Sequence, residues 1–202
     1  VRVLNPIAAQ HDVMRRSLLP GLIEALRNNV NRKEPRVRIF EAGRVFRAAR
    51  ADAAAQPRRL GGLAFGDALP EQWGARPPRQ VDFFDVKADL EALAYPRAIL
   101  TELASYTWLH PGRSARVWLD DVDAGWIGEL HPRLVRHFDL SQAPVVFEVD
   151  VDAFEQARVP SGRTVSKLPT ARRDLALVVD DAVSVHALTA ALKSAAPPFV
   201  DT

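Results

Sequence analysis

The sequence predicts an α+β chain in which antiparallel strands carry flanking helices and a smaller second unit follows a linker. Three features lead there. An apolar helix face feeds a strand across residues 17–46, two strands flank the polar turn at 120–125, and a stretch carrying Pro, Ser and Gly occupies 159–169.

From Ser17 onward, Leu18, Leu22, Leu26 and Val30 recur every four positions with Leu19 and Ile23 beside them, which makes one apolar helix face. Ser17 is the expected N-cap, and Pro20 falls in the first turn, where its missing amide hydrogen costs little. Residues 37–46 place Val37, Ile39 and Val45 on one face and Phe40, Ala42 and Phe46 on the other, so an inner strand covered on both sides is expected. Residues 49–59 read as a hairpin loop. Residues 60–66, LGGLAFG, read as the returning strand, with paired glycines that point to close backbone approach or a bulge.

Residues 67–80 hold three prolines without periodicity and read as a connector. A helix at 83–93 presents Phe83, Val86, Leu90 and Leu93 on one side, and Pro96 stops it. ARVWL from Ala115 and WIGEL from Trp126 form two strands around DDVDAG. Pro132 begins a short helix, VVFEVDV from Val145 is the last strand of the core, and the core ends near Phe154. Beyond the linker, residues 174–179 alternate as a strand, and Ser184 caps a helix bearing Val185, Leu188, Leu192 and Ala195 that Pro197 ends. One strand and one helix cannot close a core.

With 202 residues and 48% hydrophobic content, the chain can build one sizeable core beside a small partner unit. No apolar run reaches bilayer length and no N-terminal segment has the order of a signal peptide, so a soluble, cytoplasmic chain without membrane contact is expected. The absence of cysteine excludes disulfides and thiolate metal sites. Val1 comes first and Met14 is the only methionine, from which a piece of a longer polypeptide is expected. Net charge is +2, but residues 1–60 carry 13 basic and 5 acidic side chains whereas 115–160 carry 4 and 9. A basic N-terminal third suits an acidic partner or nucleic acid, and the alternative is a set of solvated faces.

His131 and His137 are six apart and lack a ligand cluster, so no metal site is expected. His110 and His131 are expected to fix turns at strand ends through their ring nitrogens. Ser17, His11 and Asp12 lack the strained serine turn of a nucleophile, and neither GxxxxGK[ST] nor GxGxxG occurs. Glu41, mid-strand, is expected to pair with a nearby arginine such as Arg44, since an unpaired carboxylate there would be costly; the alternative is a substrate-binding carboxylate. Phe83, Phe84, Asp85 and Lys87 either line a pocket or divide into core and solvated face, and their helical spacing favours the second. No catalytic residue is assigned.

The blocks NPIAAQHDVMRRSLLPGLIEALRNNVNR, RIFEAGRVF, VDFFDVKADLEAL, LHPGRSARV, IGELHPRL, VVFEVDV and SKLPTARRDLALVVDD occur in order along the chain. Together they resemble the C-terminal region of bacterial phenylalanyl-tRNA synthetase beta subunits. The resemblance implies a class II aminoacyl-tRNA synthetase-like antiparallel sheet with flanking helices at 1–158, catalytic-like but non-catalytic. It further implies a linker at 159–169 and, at 170–202, the first part of a ferredoxin-like anticodon-binding domain of order βαββαβ. Implied partners are the alpha subunit, which makes phenylalanyl-adenylate within an αβ heterotetramer, and the tRNA for phenylalanine. ATP and magnesium belong to the whole enzyme and no cofactor to this fragment, while the editing site lies in an upstream domain.

Active class II enzymes have an arginine-bearing loop after the second-motif strand and a glycine-rich strand ending in arginine before the third-motif helix. FEAGRVF stands at the former place; for the latter, the nearest segment, GWIGELHP at Gly125, lacks the arginine. The resemblance puts Leu18, Leu22, Ile23 and Leu26 at a subunit interface. It makes Lys167, Arg172 and Arg173 contacts to tRNA phosphates, which accessible cations reach without desolvation. The alternative is a surface charge group with Arg173 paired to Asp174 or Asp150. Base readout wants aromatic platforms, and only Phe199 is at hand. Two rival readings remain: a free-standing synthetase paralogue that itself binds ATP and an acid, and a nucleic-acid-binding module unrelated to aminoacylation.

Overall fold

The apolar stripe from Leu18 forms helix α1, Leu19–Asn31, and buries Leu19, Leu22, Ile23 and Leu26. Its start differs from the sequence expectation: the N-cap is Leu18, which has no side-chain cap. Ser17 lies one residue earlier, where its Oγ accepts from the Leu19 N–H at 3.1 Å and donates to Glu148 Oε2 at 2.6 Å. The Leu18 N–H donates to the same carboxylate oxygen at 2.8 Å. A side chain from a distant strand thus satisfies what a local cap would have served. The computed structural model describes residues 12–47, 55–73, 79–155 and 171–197.

Six strands form one antiparallel sheet in the order β1-β2-β6-β5-β4-β3. They are β1 Val37–Arg44, β2 Arg58–Phe65, β3 Ile99–Leu103, β4 Leu109–Leu119, β5 Val122–Leu130 and β6 Val145–Asp150. β1 is an edge strand, not the inner strand expected from its two apolar faces. Val37 is buried under α1, but Phe40 on the opposite face is 77% exposed. The two-sided apolar pattern therefore reports bare surface as well as core. β3 and the short helix α4, Val151–Glu155, had no counterpart in the sequence reading.

The registers define two rows of side chains across all six strands. On one face stand Glu41, Gly61, Glu148, Trp126, Arg116 and Glu102. On the other stand Phe40, Gly62, Phe147, Ile127, Ala115 and Leu103. α1 and α3, Pro132–His137, cover the first face, where Leu18, Leu22 and Leu26 join Leu63, Val146, Trp126, Leu134 and Phe138. Helix α2, Phe83–Ala94, covers the second through Val86, Leu90 and Ala94 against Ile127, Phe147 and Val149. Leu93, expected on the buried side of α2, is exposed, and Ala94 takes that place. The paired glycines serve close approach without a bulge: Leu18 and Leu22 lie against Gly61 and the Phe147 ring against Gly62.

The chain divides into two units, Val1–Ser161 and Gly162–Thr202. In the second, helix α5, Val185–Ala195, forms as expected with Ser184 as N-cap, its Oγ accepting from Ala187 N–H at 3.1 Å. The strand expected at 174–179 is not formed. Its alternation defines two faces, but a strand also needs a hydrogen-bonded neighbour, and no described residue offers one. The linker at 159–169 lies outside the described residues.

A β-carbon at Gly62 would clash with the edge of the Phe147 ring. Gly62→Ala should therefore lower stability by about 1–3 kcal/mol in denaturant unfolding, through overpacking. Adding Phe147→Leu should recover part of that loss; two fully additive losses would mean that the glycine is not there to admit the ring.

Candidate functional site

α2 roofs only the middle of the row from Phe40 to Leu103, because a helix about 10 Å across cannot span six strands about 4.8 Å apart. Both ends stay bare. Phe40 is 77% exposed at the β1 edge and Leu103 80% at the β3 edge. Beside Phe40 runs a groove of ≈ 470 Å³ lined by Ile39, Leu60, Ala92, Leu93 and Phe147, with the ion pair of Arg38 and Asp89 at its rim. Beside Leu103 runs a second, of ≈ 450 Å³, lined by Phe83, Phe84, Thr101, Ser114 and Glu129. Phe84 there is 72% exposed. Contiguous apolar surface of this kind characterises interaction sites more than solvated faces.

The lip of the second groove is fixed by the start of α2. Asp82 is its N-cap and accepts from the N–H groups of Phe84 at 2.9 Å and Asp85 at 3.1 Å, while Asp85 accepts from the Asp82 N–H at 2.9 Å. Arg79 donates to both Asp85 oxygens, at 2.7 and 2.6 Å. The Arg79 hydrogen bonds, with the Asp82 N–H and the charges of Arg79 and Arg38, hold the Asp85 carboxyl at about 2 against the opposing effect of burial. Of the cluster Phe83, Phe84, Asp85 and Lys87, then, Phe83 and Phe84 line the groove, Asp85 closes the capping box and Lys87 pairs with Glu91.

Leu18, Leu22, Ile23 and Leu26, expected at a subunit interface, all lie in the core of this unit and leave no surface of their own. The exposed face of α1 carries Glu24, Arg27, Asn28 and Asn31 instead. Glu41 pairs with Arg15 and not with Arg44, because the 12–16 segment runs along the β1 edge, where Phe46 N–H donates to Arg15 O at 2.8 Å. Arg44 donates to Gln56 O. Arg172 and Arg173 are exposed, and among the described residues neither pairs with a carboxylate; Arg173 Nη1 donates to the Arg172 carbonyl at 2.8 Å, and the ionic partner of Asp150 is Arg59. Lys167, Phe199 and His11 lie outside the described residues. His131 Nδ1 accepts from Arg133 N–H at 3.1 Å and caps α3 at the end of β5, as expected, whereas His110 Nδ1 accepts from Gly112 N–H at 3.1 Å within β4, at the register shift between Leu109 and Ser114, and not at a turn. Among the described residues no group of three or more His, Asp or Glu could hold a metal ion, and no helix is long and apolar enough to cross a membrane.

The sequence reading missed Glu148, which is 3% exposed and ties the start of α1 to the sheet. Its signal was present as a charge flanked by apolar residues inside the run VVFEVDV, two positions before Asp150.

Residues 1–151 match the family model described as the phenylalanyl tRNA synthetase beta chain CLM domain. The chain belongs to this family. It is 53% identical over 203 residues to the phenylalanine–tRNA ligase beta subunit of Burkholderia lata, covering 96% of this chain and 25% of that protein. It is 53% identical over 196 residues to that of Thiobacillus denitrificans, covering 97% and 24%. The chain thus spans about a quarter of the length of the relatives it matches. Among solved structures it is similar to PylSc, a pyrrolysyl tRNA synthetase of Desulfitobacterium hafniense, at 15% identity and a TM-score of 0.48 over 70% of this chain and 47% of that one.

In this CLM domain the junction from β6 into α4 is acidic. Arg58 is held by Asp152 at 2.5 Å and by Glu155, and Arg59 lies 3.8 Å from Asp150. The arginines of β2 are thereby neutralised at the place where the sheet's last strand enters a helix.

The Asp85 shift sets an acid limb for the CLM domain. Because its folded pKa is depressed, its contribution is fully present above the ordinary carboxylate value of 3.8 and is lost as pH falls toward about 2. Asp85→Asn should flatten the fall in thermal stability across that window. An unchanged acid limb in the folded variant would show that the pair with Arg79 adds nothing there.

Proposed function

We propose that the chain is a scaffold portion of the beta subunit of a phenylalanine–tRNA ligase, taking part in ATP-dependent attachment of phenylalanine to its tRNA without making the adenylate itself. The observation that carries this is the match over residues 1–151 together with relatives of that name at 53% identity. The segment at the third-motif place, GWIGELHP from Gly125, lacks the arginine that would clamp a triphosphate, which supports assigning ATP and magnesium to the alpha subunit.

Assembly with alpha is the second part of the reading. Since the α1 stripe is interior, the surface for that contact is the bare apolar face at Phe40, Leu60 and Leu93. In this reading Arg172 and Arg173, with Lys167, supply charge to tRNA phosphates, and residues 170–202 begin a ferredoxin-like anticodon domain. The cytoplasm is the compartment that such an enzyme implies.

Mixing the chain with alpha subunit should give a complex whose mass by light scattering exceeds either component, and Phe40→Asp should weaken it at least tenfold, a cost of about 1.4 kcal/mol. The exposure of Phe40 lets the variant fold. Full association of a folded Phe40→Asp variant would remove this surface from the contact. Phenylalanine-dependent ATP–pyrophosphate exchange by the purified chain alone would overturn the non-catalytic reading.

A further inference from the structure

Half of the described arginines of the first unit pair with carboxylates, among them Arg15 with Glu41, Arg38 with Asp89, Arg58 with Asp152 and Glu155, Arg97 with Asp120 and Arg113 with Glu129. Of those that do not, three lie on α1 and α3. Arg27, Arg133 and Arg136 are exposed there, and none pairs with a carboxylate among the described residues. The acidic side chains closest to them along the chain form no ion pair with them either: Glu24 and Asp139 are in none of the ion pairs, and Glu129 pairs with Arg113.

Arg27 is tied by packing to the end of the helix that carries Arg133 and Arg136. Leu26 and Val30 of α1 share one apolar cluster with Leu134, Val135 and Phe138 at α3. The Arg27 guanidinium lies over the Phe138 ring, 5.7 Å from its centroid, and the His137 ring stands edge-on to the same ring at 4.9 Å. A guanidinium stacked on an aromatic face is already oriented, so it gives up less side-chain freedom on binding and keeps its N–H edge for an anion.

We propose that this α1–α3 surface binds the phosphodiester backbone of RNA, with Arg27, Arg133 and Arg136 as its phosphate contacts. Arginine suits the role because its planar fork can donate two hydrogen bonds to one phosphate. The contact is to backbone and carries no base readout, so it acts on any RNA that reaches it. It rests on the ligase reading only for the identity of the RNA, and it is separate from Arg172 and Arg173, which belong to the second unit. Cations in the last turn of α3 also complement the helix dipole, and a purely structural role of that kind would leave RNA affinity unmoved.

The test is fluorescence anisotropy of the full chain with labelled tRNA for phenylalanine and with an unrelated stem-loop RNA, across a salt series. The double variant Arg27→Ala with Arg136→Ala should bind both RNAs more weakly, and its slope of log affinity against log salt should be shallower by about 0.7–0.9 for each phosphate that is no longer neutralised. Arg136→Glu alone leaves the Arg27–Phe138 stack in place and should weaken both RNAs in the same direction if the double variant proves unstable. Unchanged affinity and slope in folded variants would overturn the proposal. Variants that join the alpha subunit normally but bind RNA unchanged would overturn this surface and leave the ligase reading intact. A chain that loses RNA through these substitutions yet never associates with alpha would do the reverse.

Discussion

The carboxylate of Glu148 holds α1 to the sheet, and most of that face of the fold depends on it. It is buried at the middle of β6, and a single oxygen accepts both the Ser17 hydroxyl and the Leu18 N–H. The first turn of a helix presents unsatisfied N–H groups and the positive end of its dipole, so an acceptor carboxylate there is stabilising where a neutral side chain would leave donors buried and unpaired. Two glycines make room for it. Gly61, cross-strand from Glu148, lets Leu18 and Leu22 approach the sheet. Gly125 holds a φ of +146°, and a β-carbon on it would collide with the Glu148 carbonyl, so β5 can run beside β6 there only without a side chain.

From that anchor the two faces take different roles. The α1 face is closed by Leu22, Leu26, Trp126 and Phe138, with the Tyr106, Trp108 and Trp126 rings packed 5.3–6.3 Å apart toward the β4 end. The α2 face is closed only in its middle, and its ends offer Phe40 and Leu103 to whatever lies outside. Charge follows the same division. The β6–α4 junction holds its arginines in ion pairs, whereas the α1–α3 surface keeps arginines free of carboxylates among the described residues.

Much of this was legible in the sequence where a pattern has a local cause. Spacing of Leu18, Leu22 and Leu26 gave α1, the alternation around DDVDAG gave the β4–β5 pair, and Ser184 gave the start of α5. What escaped depends on partners remote in sequence. Nothing local tells that β1 is an edge, since Phe40 and Ala42 are as apolar as core residues would be. Arg15, 26 residues before Glu41, takes the place expected for Arg44. Ser17 looked like an ordinary cap because its true partner is 131 residues away. The strand expected at 174–179 is the same lesson inverted: alternation is necessary for a half-buried strand, but only a neighbouring strand makes it one.

The most direct measurement is a double-mutant cycle on Glu148→Ala and Ser17→Ala, read by denaturant unfolding of the intact chain. Losing the carboxylate strands the Leu18 N–H, so Glu148→Ala should cost about 3 kcal/mol or more, Ser17→Ala about 1 kcal/mol, and the two should couple by at least 0.5 kcal/mol, on the order expected for groups sharing a buried hydrogen bond. Additive effects, with Glu148→Ala inside the range of about 0.5 kcal/mol typical of surface substitutions, would contradict the view that this carboxylate holds α1 to the sheet.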